Sequence, residues 1–309
     1  MKLKFEFADL GLPGPFTLGT VQLGLPYGLG AARPLIDADE ASAVLDTASA
    51  AGIRWLDTAA AYGHSESRIG AWHSRASESF RLVSKLALAA NSTDGECVKV
   101  VASLIDQSLS HLGCKRIDIY LAHRATDLLR PPVAAAFRYA KDSGKIGRFG
   151  VSVYSTDDAR LALQVPGIGA MQIPVSAVAQ DFIHSGIIEQ AAERDVAVFA
   201  RSVFLQGALL LDPDRLPAHL AQLAPVNLRL RAIARETGLS LPGLLVGAVN
   251  SIPAIYSPVL GVDDALQLSE LLKATRHAPL EPELVTTVFT AGRGLPSKVV
   301  DPRRWPLSR

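Results

Sequence analysis

The chain has 309 residues, 49% of them hydrophobic and 20% charged, with 31 Lys plus Arg almost cancelled by 30 Asp plus Glu. That apolar content is enough to bury a large core, and the balanced charge gives no whole-molecule field to gather nucleic acid or anionic lipid, so the expected partner is a small molecule. Cys97 and Cys114 cannot supply a disulfide framework, no apolar run approaches a membrane span, and Met1–Asp9 alternates Leu3, Phe5 and Phe7 with charges instead of forming a signal-like stretch; a cytoplasmic, non-membrane protein is expected.

From residue 17 onward, short β-branched runs alternate with helical patterns, the signature of βαβ units and a parallel sheet. The first run is Thr17–Leu23. Asp37 and Glu40 then read as a capping box opening a helix that Gly52 stops. Runs follow at Ile53–Asp57 and Arg81–Lys85. Val98, Val101, Ile105, Leu109 and Leu112 lie three or four residues apart, which predicts one buried face of a helix ending at Gly113. Further runs at Ile117–His123, Phe149–Val153, Ala170–Ile173 and Val196–Ser202 are mostly apolar on successive positions, as in strands buried on both faces. Residues 208–225 have a loop composition, and the eighth run is Tyr256–Val262.

Eight such units predict an α/β fold, a (β/α)8 TIM barrel in a single domain over residues 1–309, with an N-terminal hairpin and a C-terminal extension beyond Ala278. An open doubly wound sheet fits poorly. Its glycine loop would have to be Gly28-Leu29-Gly30-Ala31-Ala32-Arg33, which lacks the third small residue.

Polar residues at the carboxyl ends of barrel strands carry the chemistry of such folds. Asp57 ends the second run, Tyr62 follows it, Lys85 closes the third and His123 closes the fourth. A phenol, an ammonium to ease its ionisation, a carboxylate to hold the ammonium and an imidazole to orient an oxygen together make a proton-donating site for a carbonyl. Asp57 and His123 could instead be metal ligands of a barrel hydrolase, but such sites gather three or more ligands, and no metal is expected.

The segment Gly-x-Arg-x-x-Asp-Thr-Ala-x-x-Tyr-Gly-x-x-Glu, Gly52 to Glu66, resembles the signature of the aldo-keto reductase superfamily. The resemblance covers about residues 15–275. It continues through Ser84-Lys85, Ile117-Asp118 to His123, Gly144 to Ser152, and Gln172 in Met171-Gln172-Ile173-Pro174. It implies a catalytic tetrad of Asp57, Tyr62, Lys85 and His123, with NADPH or NADH as cofactor and an aldehyde, ketone or matching alcohol, such as a sugar, as substrate. A cofactor-binding regulatory or redox-sensing member with little turnover is the alternative.

By the same resemblance Ser152 and Gln172 meet the nicotinamide carboxamide, Thr20, Ser202, Phe204 and Gln206 lie along the cofactor, and Gly261, Asp263 and Gln267 meet its adenosine end. Gln22 and Tyr27 are expected at the substrate mouth. Two positions depart from the family pattern: Val153 stands where Asn is usual after Ser152, and Arg201 stands where a tyrosine commonly stacks on the nicotinamide. A planar guanidinium can serve as a platform, and its charge is expected to favour the reduced cofactor over the cationic oxidised one.

Overall fold

A computed structural model describes residues 7–29, 35–89, 92–276 and 279–306. Eight strands, β1 (Thr17–Gly19), β2 (Trp55–Asp57), β3 (Arg81–Leu86), β4 (Ile117–Ala122), β5 (Ile146–Ser152), β6 (Ala170–Pro174), β7 (Ala197–Arg201) and β8 (Ile255–Gly261), close into a barrel in sequence order. Every pairing is parallel, including the closing pair in which Leu18 lies opposite Leu260. The expected (β/α)8 fold is therefore the observed one.

Boundaries differ in instructive ways. The first run is only half strand: Thr20 leaves the ladder to donate its N–H to the Asp57 carbonyl at 2.9 Å, and Val21–Leu23 winds into a 3-10 turn. Helix α1 (Ala38–Ala50) begins with both bonds of the expected capping box, Glu40 N–H to Asp37 Oδ1 at 2.8 Å and Asp37 N–H to Glu40 Oε2 at 3.0 Å. Helix α2 is Ser65–His73, and α3 (Asp94–Leu112) ends as expected at a left-handed Gly113. On α3, however, Val98 is 45% exposed, and Cys97 takes its place in the buried stripe with Val101, Ile105, Ser108 and Leu112. The barrel wall lies nearer the 97–101–105–108–112 line, about one residue's rotation away.

Residues 7–16 form turns and extended chain; the expected N-terminal hairpin would draw on residues 1–6, which lie outside the described residues. Phe7 and Leu10 join the barrel-interior cluster with Trp55, Val83, Leu121 and Phe199. Arg148 holds that segment in place through Nη2 to Asp9 Oδ1 at 2.6 Å and Nε to Asp9 Oδ2 at 2.8 Å. The amino end of the barrel is thereby closed. Beyond residue 278, the helix Pro282–Ala291 packs on the helices Ala224–Glu236 and Leu241–Asn250, and the turn Pro302–Arg304 reaches the loops at the carboxyl end.

Strand periodicity then positions the site. Side chains two apart share a face, so the residues following the interior layer of Trp55, Val83, Leu121, Ala170 and Phe199 are Asp57, Lys85, His123, Gln172 and Arg201. These are polar or charged, and apart from Lys85 they all line a cavity at that end, about 670 Å3 in volume.

Candidate active site

Lys85 is fully buried and its ammonium is committed to three acceptors: Asp57 Oδ1 and Oδ2, each at 2.8 Å, and the Thr58 carbonyl at 2.9 Å. Burial pushes the Lys85 pKa down, against the pull of Asp57. Gln172 adds a bond from Nε2 to Asp57 Oδ1 at 2.7 Å. The carboxylate is thus held from two sides at the floor of the cavity.

Tyr62 sits above that pair, in the loop between β2 and α2, with the Lys85 ammonium 5.1 Å from its ring centroid and the His123 ring edge-on at 6.0 Å. The four residues assigned by resemblance are therefore brought together. The sequence reading expected Lys85 to ease ionisation of the phenol, yet burial, followed by the Asp57 charge, raises the Tyr62 pKa above its ordinary value of 10.0. Because Asp57 neutralises the ammonium, desolvation dominates, and the phenol stays protonated through the neutral range.

Burial, Lys85 and Arg201 lower His123 to about 3, so its imidazole is neutral at ordinary pH. Because the folded value lies below the ordinary 6.5, the unfolded chain takes up this proton first; His123 contributes stability above pH 6.5 that is lost as pH falls towards 3. Its ring resonances should show no titration between about pH 5 and 8 by two-dimensional NMR. A midpoint near 6.5 would contradict the half-buried, cation-flanked setting.

Thr58 and Ser65, within the quoted motif, and Thr20, at the end of β1, form a buried hydroxyl relay. Thr58 Oγ1 donates to Ser65 Oγ at 3.0 Å, Ser65 Oγ meets Thr20 Oγ1 at 2.8 Å, and Thr20 Oγ1 donates to the Asp57 carbonyl at 3.0 Å. The Thr20 hydroxyl, expected on the cofactor, is engaged here in fixing the Asp57 loop. Sequence reasoning gave Thr58 and Ser65 no role; small hydroxyls between Asp57 and Glu66 were the only signal.

Gly24 was missed as well. A Cβ built there would lie 1.7 Å from the Tyr62 carbonyl oxygen and 2.6 Å from the Ser65 nitrogen, so the loop after β1 rests directly on the Tyr62 loop. Gly24→Ala should lower stability by about 1–3 kcal/mol through overpacking. An unchanged denaturation midpoint would show that the loops do not meet this closely.

Ser152 and Gln172 are register partners on β5 and β6, and both line the cavity. With Nε2 on Asp57, Gln172 has an oxygen with no hydrogen-bond partner among the described residues, as has the Ser152 hydroxyl. Val153 is buried, and its carbonyl accepts from Arg201 Nη2 at 3.0 Å. The Arg201 guanidinium lies 3.9 Å from the Tyr154 ring centroid, so the aromatic it stacks on is supplied by the chain itself.

Ser202 and Gln206 adopt left-handed backbone, φ 63° and 54°, in a tight turn that leads Phe204 along the cavity wall. Gln206 Nε2 donates to the Tyr27 hydroxyl at 3.3 Å, strapping the β7 loop to the β1 loop. Gln22 lies against Gly261, where a Cβ would come within 2.6 Å of its Oε1, and that oxygen is buried without a partner among the described residues. At the far loop Asp264 caps the helix Ala265–Ala274 through the Gln267 N–H at 2.7 Å, while Gln267 Oε1 accepts from the Asp263 N–H at 2.7 Å. Among the described residues no group of three His, Cys, Asp or Glu could hold a metal ion, and no helix is long and apolar enough to cross a membrane.

A closed eight-stranded barrel with an ion-paired lysine beneath a half-buried phenol defines a small-molecule site at the carboxyl end. The model of the aldo/keto reductase family matches residues 15–290, and the chain belongs to that family. It is 32% identical over 177 residues to aldo-keto reductase str7 of Strobilurus tenacellus, covering 55% of this chain and 52% of that protein. It is 26% identical over 251 residues to the 6-dehydroglucose reductase of Novosphingobium aromaticivorans, covering 77% and 81% respectively. The chain spans only 52% to 64% of the length of several curated relatives that it matches. Glycerol dehydrogenase AKR11B4 from Gluconobacter oxydans superposes with a TM-score of 0.74 over 95% of this chain and 94% of its own, at 19% identity, a likeness of fold.

Proposed function

We propose that the chain, acting as one domain, is an NAD(P)H-dependent oxidoreductase that reduces an aldehyde or ketone, or oxidises the matching alcohol. The observation that carries this is the convergence of Tyr62, the Lys85–Asp57 pair and His123 on one cavity whose volume, about 670 Å3, suits a small-molecule site. The name of the Novosphingobium relative, a 6-dehydroglucose reductase, keeps a sugar among the candidate substrates.

The cavity wall fits a nicotinamide. A carboxamide has one acceptor and two donor hydrogens, and the adjacent Ser152 hydroxyl and Gln172 oxygen offer one donor and one acceptor. Val153 supplies no side-chain amide, so this pair alone would orient the ring. Gln22, which lines the cavity beside Gly261 on the β1–β8 side, offers in its Oε1 a further acceptor with no partner among the described residues.

When bound, a reduced nicotinamide supplies the hydride that converts a carbonyl carbon to a carbinol carbon. Tyr62 holds the proton for the substrate oxygen, and its raised pKa keeps that proton in place until negative charge builds on the oxygen. Neutral His123 orients the oxygen against the phenol by hydrogen bonding. Lys85 and Asp57 fix the floor on which the phenol rests.

Titrating the purified protein with NADH and with NADPH tests the reading. Saturable quenching of its tryptophan fluorescence by at least one of them is expected, followed by consumption of that cofactor when an aldehyde is added. The absence of saturation with either would remove the cofactor and the reaction together.

A further inference from the structure

Arg201 stands out because its charge has no counter-ion among the described residues. It is half-buried at the cavity wall, and no carboxylate of the described residues pairs with it. The cavity-floor carboxylate, Asp57, is already taken by Lys85 and Gln172. Arg303, on the opposite face of Tyr154 at 3.7 Å, is by contrast paired twice to Asp301, through Nη2 to Oδ2 at 2.7 Å and Nε to Oδ1 at 3.0 Å.

The guanidinium is also held still. Its Nη2 donates to the Val153 carbonyl at 3.0 Å, its Nη1 reaches the Ser202 hydroxyl at 3.4 Å, and its central carbon lies over the Tyr154 ring at 3.9 Å from the centroid. A guanidinium has five N–H donors, so most of the fork is left for a ligand. Residue 201 follows Phe199 on the interior face of β7, which places it in the ring of side chains that holds Asp57, His123 and Gln172. Its charge reaches the reacting groups, lowering the pKa of His123 and of Lys85.

The charges at this end can be summed. Among the described residues that converge with Tyr62, Lys85 cancels Asp57, His123 is neutral and Tyr62 keeps its proton, so the Arg201 charge is left uncompensated beside them. A half-buried cation favours a ligand that brings the opposite charge in a matching planar shape.

We infer that the substrate carries a carboxylate as well as the reacting carbonyl, and that Arg201, steadied by Tyr154 and the Val153 carbonyl, receives that carboxylate. This rests on the reductase reading above and narrows its substrate to an oxo acid. The departure from the family's usual tyrosine at this position then sets specificity.

The test compares matched acid and neutral aldehydes: 4-formylbenzoate against its methyl ester, and succinic semialdehyde against butanal. Within each enzyme the ratio of kcat/KM for acid to neutral partner cancels any effect on cofactor binding or on chemistry. The wild type should favour at least one acid tenfold or more, equivalent to about 1.4 kcal/mol. Arg201→Met should abolish the preference, and Arg201→Lys should keep part of it, since the charge remains but the fork is lost.

A ratio of one or below for both pairs in the wild type, or a ratio unchanged in Arg201→Met, overturns the assignment while leaving the reductase reading intact. If no aldehyde is turned over, calorimetry with 4-(hydroxymethyl)benzoate and its amide decides. Binding of the acid alone, lost in Arg201→Met, sustains the carboxylate subsite and removes the reductase reading. Equal or absent binding of the two removes the subsite.

Discussion

Tyr62→Phe should lower kcat by roughly 10²- to 10⁴-fold, the usual contribution of a positioned general acid, with the cofactor dissociation constant within about twofold of wild type. The substitution deletes one oxygen and keeps the ring, which makes the edge-on contact with His123 at 6.0 Å and lies 5.1 Å from the Lys85 ammonium. The cavity therefore keeps its shape. His123 cannot stand in as donor, because an imidazole whose pKa is lowered to about 3 holds no spare proton at neutral pH. Single-turnover reduction followed by stopped-flow absorbance separates the chemical step from cofactor release. Hydride transfer at the wild-type rate in Tyr62→Phe would mean that the proton comes from elsewhere.

The barrel was legible because its signal is repetitive: eight apolar runs separated by helical patterns leave few topologies to consider. The convergence of Asp57, Tyr62, Lys85 and His123 was legible because each lies near the carboxyl end of a strand or in the loop after it, so the period-two alternation that buries Trp55, Val83 and Leu121 also aims Asp57, Lys85 and His123 at the mouth. What escaped were features set by long-range approach. Nothing local marks Gly24 as the residue that meets the Tyr62 carbonyl, and nothing local says that Gln172 would spend its amide nitrogen on Asp57. The cluster of Arg201, Tyr154 and Arg303 joins three segments spread over nearly half of the chain, and its existence depends on where the C-terminal turn lands. Even the sign of the Tyr62 shift was misjudged: a neighbouring ammonium suggests a lowered pKa, but an ammonium already neutralised at 2.8 Å by a carboxylate leaves burial to decide.

Asp57→Asn should destabilise the fold by about 3–5 kcal/mol, the usual consequence of removing one partner from a buried ion pair. Lys85 is 0% exposed and has no other anion among its bonds, so the variant leaves an ammonium facing an amide and the Thr58 carbonyl. The amide keeps the volume of the carboxylate and can still accept from Gln172, which isolates the charge from the packing. The double variant Asp57→Asn/Lys85→Met should recover most of that stability, because replacing both members of a buried pair removes the desolvation of the unmatched ion. It should not recover turnover, since the floor that positions Tyr62 is gone. Urea denaturation of wild type, both single variants and the double variant, read as a double-mutant cycle, gives the coupling directly. Additive losses would show that the two groups do not hold each other, and the electrostatic account of the phenol, in which Asp57 cancels Lys85 and burial keeps the proton on Tyr62, would fall with them.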